Sequence, residues 1–201
     1  GYDIMVEAAA ITENPQINYV LRGFGRMEPE LRSFVDGKGL NNVTFAPPVK
    51  TTELIPAARS SHVGLAITVP INLNFKLSVS NKIFEYISAG LPVIMSDIPE
   101  HRYLNEKYNF GIILKENTAE CLRDAVTVLY ENKELYKQYA ANAKNFCIPS
   151  SVGRDFKIYS YDADGSLHEV VKDGNGIERV ENNSAGRLNK SLTEFAIKAI
   201  I

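Results

Sequence analysis

The sequence is poor in cysteine and histidine, has no excess of either charge, and contains no long apolar run. Its two cysteines, Cys121 and Cys147, stand far apart and without metal-ligand spacing. That pattern argues against a zinc site and reads as two small core residues of a protein in a reducing compartment. Lysine and arginine total 22 against 24 acidic residues, a formal net charge of −2. No global field therefore draws the chain to nucleic acid or to an acidic membrane surface, and any phosphate site has to be local. No stretch approaches the ~18 consecutive apolar residues that would span a bilayer. Nothing at the N-terminus has the charged, apolar and small-residue order of a signal peptide, so the reading is cytoplasmic.

What is present is the balance of a folded globular protein: 45% hydrophobic and 23% charged residues over 201 positions. That suffices for one ordinary domain and a small appendage. The first residue is Gly1, and the helical pattern YDIMVEAAAI starts at once. The expectation is a processed, cut or partial chain.

Apolar spacing through Ile4, Met5, Ala8, Ala9 and Ile11 predicts a first helix over Tyr2–Ile11, closed by Glu13-Asn14-Pro15. A buried strand is predicted at Ile17–Leu21, a helix at Glu28–Val35 that stops in the Gly37–Gly39 turn, and a strand at Val43–Ala46. Thr51–Ser60 follows as a short helix capped by Thr51 or Thr52, with Pro56 weakening it. Next come a strand at His62–Thr68, a non-periodic loop at Val69–Val79, and a helix at Asn81–Ala89 that stops at Gly90. Strand Pro92–Ser96, helix Ile98–Glu106, strand Gly111–Leu114 and helices Thr118–Tyr130 and Lys133–Phe146 complete the series. Such alternation predicts an α/β fold, a Rossmann-like doubly wound parallel sheet with helices on both faces. Ligands of such sheets sit at the carboxyl ends of the strands.

Beyond Pro149 the texture changes. FKIYSYDADGSLHEVVKDGNGIERV carries two short strand-like runs around Asp-Gly turns, and a helical period returns only at Leu188–Ile201. A small β-hairpin with a terminal helix is predicted, giving domains 1–147 and 148–201. The segment resembles a single YD-type repeat, but one copy cannot build a repeat protein. Asp162 to Gly165 lacks the spaced ligands and closing glutamate of a calcium loop and reads as a turn.

The chemistry concentrates in SNKIFEYISAGLPVIMSD, Ser80 to Asp97. The helix that opens it follows the loop LSVS, so unpaired backbone N–H groups and the positive end of the helix dipole face whatever lies above the sheet. Lys82 lies in the first turn with Glu85 three residues on, sharing one face, while Ile83, Phe84 and Ile87 can pack on the sheet. Lys82 could neutralise a diphosphate and Glu85 could accept both hydroxyl protons of a ribose, which suits a nucleotide sugar. On spacing alone the plainer reading is stronger: an exposed Lys–Glu pair stabilising a helix by about 0.3–0.5 kcal/mol.

Three runs change that weighting: SNKIFEYISAGLPVIMSD, YVLRGFGRMEPEL and VTFAPPVKTTELIPAARSSHVGLAI. Together they resemble the donor-binding, C-terminal half of retaining, nucleotide-sugar-dependent glycosyltransferases of the GT-B fold, the glycosyl transferases group 1 family, over Gly1 to about Phe146. The resemblance implies that Glu85 holds the ribose and Lys82 lies near the phosphates, the two expected catalytic residues. It places Ser80 and Asn81 beside them. It further implies that Gly23, Phe24, Gly25 and Arg26 form the glycine-bearing turn along which the nucleotide approaches the backbone. The first glutamate of the family's E-x7-E pattern falls at Leu77, so the contact it makes to the donor sugar is in doubt. Asn72, Asn74, Lys76 or Ser78 could replace it only by loop rearrangement.

The implied reaction transfers a sugar, hexosyl-type, from a nucleoside diphosphate to an acceptor hydroxyl with retained configuration. Lys82, the helix end and Arg22 or Arg26 stand in for a metal ion, and no cofactor is expected. The implied partners are a nucleotide sugar, a glycan or lipid-linked acceptor in surface polysaccharide synthesis, and an N-terminal acceptor domain. The inner membrane face is the implied place of work, and nucleic acid is not a partner. The family's donor domain also begins with a central strand upstream of GYDIMVEAA. The expectation is a fragment whose isolated form is inactive, the alternative being that the tail supplies a replacement strand. A noncatalytic nucleotide-binding module of the same fold stays open as a second reading, with a nucleotide-sugar epimerase ranked last.

Other candidates have bland readings. Ser96 or Asp97 is expected to cap the following helix with Glu100 reaching back. His62 and His101 are lone histidines, expected as surface or packed residues rather than bases.

Overall fold

The computed structural model describes residues 1–69 and 79–146, and the backbone of 156–161, 167–172 and 178–182. The chain divides into two compact units, Gly1–Cys147 and Ile148–Ile201.

The first unit is built from parallel strands joined by helices. β1 (Tyr19–Arg22) pairs in parallel with β2 (Val43–Ala46), Tyr19 opposite Val43. β3 (Gly64–Ala66), β4 (Val93–Met95) and β5 (Gly111–Ile113) form a second parallel group in the order β3-β4-β5. Each connection inside a parallel pair needs a crossover, and helices supply it. α1 (Tyr2–Ala10) precedes β1, and α2 (Glu28–Lys38) crosses from β1 to β2. A 3-10 turn (Thr51–Glu53) and α3 (Leu54–Ala58) lead to β3. α4 (Asn81–Ser88) leads to β4, α5 (Pro99–Tyr108) to β5, and α6 (Ala119–Glu131) and α7 (Lys133–Phe146) close the unit.

β4 shows why the sheet is covered on both faces. Its three residues are fully buried, yet they serve different cores. Ile94 joins Val6, Ala8, Leu21, Leu122 and Leu129, whereas Val93 and Met95 join Ile83, Ile87, Phe110 and Ala143. Alternate residues of a strand point to opposite faces, so an uninterrupted apolar run is what a doubly covered strand requires.

Several boundaries move from the expected places for identifiable reasons. Ile17 lies in a turn, its N–H bonded to the Asn14 carbonyl, so β1 starts at Tyr19. α2 runs on through Gly37 and ends at Gly39, whose φ of 63° is the left-handed conformation that glycine adopts freely. The Thr51–Ser60 helix splits, and neither threonine caps it; the Glu53 carboxylate accepts the Lys50 N–H instead, at 3.3 Å. Pro56 is accommodated in the first turn of α3, where no intrahelical N–H bond is needed. Strand β3 is confined to three residues of the expected His62–Thr68. Gly90 (φ 78°) ends α4, and Thr118 caps α6 by accepting the Cys121 N–H at 3.2 Å.

β1 bonds only β2 and β3 bonds only β4 among the described residues, so the parallel strands form two hydrogen-bonded groups. Tyr86 of α4 packs against β3, its ring in the space beside Gly64.

In the second unit β6 (Phe156–Tyr161), β7 (Leu167–Lys172) and β8 (Glu178–Asn182) pair antiparallel in that order. A third strand thus extends the expected hairpin, and these strands pair with one another. Cys147, the turn at Asp162 to Gly165 and the helix expected at Leu188–Ile201 lie outside the described residues.

Candidate functional site

The carboxyl end of β1 opens into a cleft of about 280 Å³. Its walls are Leu21, Arg22, Gly23, Phe24, Gly25, Arg26 and Met27 from β1 and the turn after it, Glu28 and Leu31 from α2, Phe45 from β2, and Tyr2 from α1. The turn reverses because Gly23 has a φ of 128°, which a side chain would resist. Added Cβ atoms on Gly23 or Gly25 would meet nothing within 4 Å, so the backbone here is open to a ligand. Between them Phe24 stands 86% exposed, an open aromatic surface.

The far wall is formed by Phe45, Leu31 and Glu28. Arg32 stacks over the Phe45 ring, 4.3 Å from its centroid, and is bound at 2.8 Å by Glu28 in the first turn of α2. Glu28, the one acidic residue among the cleft residues, is thus paired, and Glu28 and Glu30 complement the positive end of the α2 dipole. Arg22 donates to the Pro47 carbonyl at 2.9 Å and so ties the ends of β1 and β2 together.

Beside Arg22 and Arg26 of the cleft, α4 brings a further positive charge. Ser80 precedes its first residue, Asn81, without a side-chain capping bond, and Ile83 and Ile87 anchor the helix in the core. Lys82 is exposed and turned toward α1. Its Nζ donates to the Tyr2 hydroxyl at 3.0 Å and lies 4.9 Å from the centre of the Tyr2 ring. Glu85 is half-buried on the same helix. Burial pushes its carboxyl up, and the Lys82 cation pulls against that shift. Beneath it Tyr86 is pushed up to about 12, chiefly by burial, then by its neighbours Tyr2 and Glu85.

Tyr2 therefore joins two groups that lie far apart in sequence. It lines the cleft with Gly23, Phe24, Gly25 and Arg26, and it holds Lys82, with Glu85 within electrostatic reach of that lysine. No local pattern marks Tyr2, since the contact spans 80 positions; the helical period showed only that residue 2 starts an amphipathic helix. Leu77 and its neighbours Asn72, Asn74, Lys76 and Ser78 lie outside the described residues.

At the carboxyl ends of β3, β4 and β5 a second polar group replaces the expected cap. The Ser96 hydroxyl accepts the Thr68 N–H at 2.9 Å and donates to Asn117 Oδ1 at 2.6 Å, while Asn117 Nδ2 donates to the Thr68 carbonyl at 3.0 Å. With its hydroxyl committed to that ring, Ser96 does not cap α5. Ile98 occupies the cap position, Pro99 starts the helix, and Asp97 turns outward to Arg102. Glu100 does not reach back as a capping partner; its Oε2 is buried without a partner among the described residues. His101 is a packed residue, fully buried, with Nδ1 3.0 Å from the Ser96 carbonyl. His62 is exposed.

No helix among the described residues is long and apolar enough to cross a membrane.

Residues 1–146 match the family described as glycosyl transferases group 1. No curated protein matches the chain. Among solved structures, Anabaena HepE in complex with UDP-glucose is similar at a TM-score of 0.62 and 20% identity, covering 73% of this chain and 40% of that one. WaaG, a glycosyltransferase involved in lipopolysaccharide biosynthesis, is similar at a TM-score of 0.60 and 17% identity, covering 76% of this chain and 40% of that one. The C-terminal domain of a group 1 family glycosyl transferase, LpcC from Francisella tularensis, is similar at a TM-score of 0.57 and 18% identity, covering 72% and 76% respectively. The chain thus spans 40% of the length of HepE and of WaaG. The shared fold is one Rossmann-like half of a GT-B glycosyltransferase.

Proposed function

The chain belongs to the glycosyl transferases group 1 family, and from that premise we propose that it is the donor-binding half of a retaining, nucleotide-sugar-dependent transferase. The observation that carries the reading is the meeting, at Tyr2, of the glycine-turn cleft with the helix that bears Lys82 and Glu85. The base and ribose belong in the cleft, against Phe24, Phe45 and the open backbone of Gly23 and Gly25. The diphosphate points toward Lys82, the exposed cation that Tyr2 brings to the cleft. Glu85, a carboxylate with four acceptor lone pairs, takes the two ribose hydroxyls.

In this role the protein's work is to stabilise a leaving group. As the glycosidic bond breaks, charge grows on the departing diphosphate, and a fixed cation is worth more to that state than to the intact donor. Lys82 supplies that charge, supported by Arg26 and the N-terminal end of α4 at Ser80 and Asn81, in place of a metal ion. The acceptor is a hydroxyl of a glycan or lipid-linked sugar, presented by a partner domain at the inner membrane face. UDP is the first donor nucleotide to test, because HepE binds UDP-glucose.

Calorimetric titration with UDP, GDP and ADP, repeated on Lys82→Ala and Glu85→Ala, tests the reading. Saturable binding to one of them, weakened by both substitutions, is the expected result. A folded chain that binds none would overturn it.

A further inference from the structure

We infer that Tyr2 is a positioning residue, whose hydroxyl holds the Lys82 ammonium at the rim of the cleft so that it meets a phosphate of the bound nucleotide. The inference rests on the reading of the cleft as a nucleotide site, and goes beyond it by assigning a role to a residue on a different element.

A lysine side chain is a flexible point charge, with about 2 kcal/mol of rotamer entropy to lose when it is fixed. Most exposed lysines are not fixed. Lys82 is held in two ways by one residue, through the 3.0 Å hydrogen bond to the phenol oxygen and through the ring face 4.9 Å away. Tyr2 is itself held. It starts α1, whose next residues Ile4, Met5 and Val6 are buried in the core, so its own direction is set by the packing of that helix. The ring also forms part of the cleft wall.

The hydrogen-bond inventory fits the role. An ammonium has three donors, and the phenol oxygen uses one, leaving two for phosphate oxygens. As an acceptor from Lys82, the hydroxyl keeps its own proton free to donate to the same anion. Tyr2 thus orders the lysine before the nucleotide arrives, without neutralising it as a carboxylate would. Glu85 does not do this work, since no hydrogen bond joins it to Lys82 among the described residues.

The test uses the 201-residue chain, UDP and uridine. Tyr2→Phe keeps the ring and removes the hydroxyl. It should weaken UDP binding roughly three- to tenfold, the share of one ordinary net hydrogen bond at an exposed site, and leave uridine binding and the thermal midpoint unchanged. In a Lys82→Met background the same substitution should add little, because the two residues act as one unit. Equal UDP affinity in Tyr2→Phe and the parent, with Lys82→Met weakened, would overturn the inference while sparing the nucleotide site. Equal losses for UDP and uridine would overturn it by making Tyr2 a wall residue only. Tighter UDP binding in Tyr2→Phe would overturn it by showing that the tyrosine sequesters the lysine. A folded parent chain that binds no UDP, GDP or ADP would overturn the nucleotide reading itself, and the inference with it.

Discussion

The Tyr86 ring occupies the space that a side chain on Gly64 would need. A Cβ added there would overlap the ring and the Cβ of Tyr86. Helix α4 is thereby seated on strand β3 at the level of the polypeptide backbone. The seat fixes the helix that carries Lys82 and Glu85.

Gly64→Ala should therefore destabilise the chain by about 1–3 kcal/mol, the usual cost of overpacking. Urea denaturation measures it. In a Tyr86→Ala background the same substitution should cost less, because Cγ and Cδ2 of that ring are the nearest atoms it would meet. Gly111→Ala should do more harm, since its Cβ would collide with the Val93 carbonyl of the paired strand, which no side-chain movement relieves.

Glu85 should give the nucleotide reading a chemical signature. If its carboxylate holds both ribose hydroxyls, Glu85→Ala should lower UDP affinity by at least about tenfold, given 1.5–3 kcal/mol for a hydrogen bond to a charged group. The 2′,3′-dideoxy nucleotide should then bind parent and variant equally. A variant that weakens both nucleotides alike would place the ribose elsewhere.

Glu85 should also tune stability with pH. Burial raises its carboxyl above the ordinary 4.5, with Lys82 opposing. An acid raised on folding favours the folded state below its ordinary value, and that contribution is lost as pH climbs through the raised one. Glu85→Gln, which cannot ionise, should therefore melt above the parent at neutral pH and together with it in acid. Thermal midpoints across the range check this; a constant difference at every pH would contradict it.

His101 should act in the opposite direction. Burial pushes its ring below the ordinary 6.5, partly offset by the Ser96 carbonyl and by Glu100. A base lowered on folding contributes stability above its ordinary value, and that contribution falls away as pH drops through the lowered one. The parent should lose stability on acidification below about 6.5, and His101→Leu should flatten that part of the profile, whatever its effect on the midpoint at pH 8. An unchanged slope, followed by chemical denaturation, would show that the ring does not titrate with unfolding.

The order of helices and strands was legible because its signals are local. Gly90 stops α4, Thr118 caps α6, and Val43–Ala46 reads as a strand from four neighbouring side chains. Boundaries moved where a competing contact took over, as when the Asn14 carbonyl held the Ile17 N–H and β1 began at Tyr19. Ser96 looked like a cap because the sequence shows a serine before a helix, but not that Thr68 and Asn117, 28 and 21 positions away, compete for its hydroxyl. Glycine turn and helix were each visible as motifs. What joins them, Tyr2, carries no motif, because its contact with Lys82, 80 positions away, exists only in the folded chain.

The alternation along β4 has a kinetic meaning. Ile94 closes one apolar layer and its neighbours Val93 and Met95 close the other, so neither layer can open without uncovering the strand that seals its counterpart. The amides of β4 should exchange with solvent only when residues 1–146 unfold as a whole, which makes this strand the last protected segment and the first unit a single cooperative one.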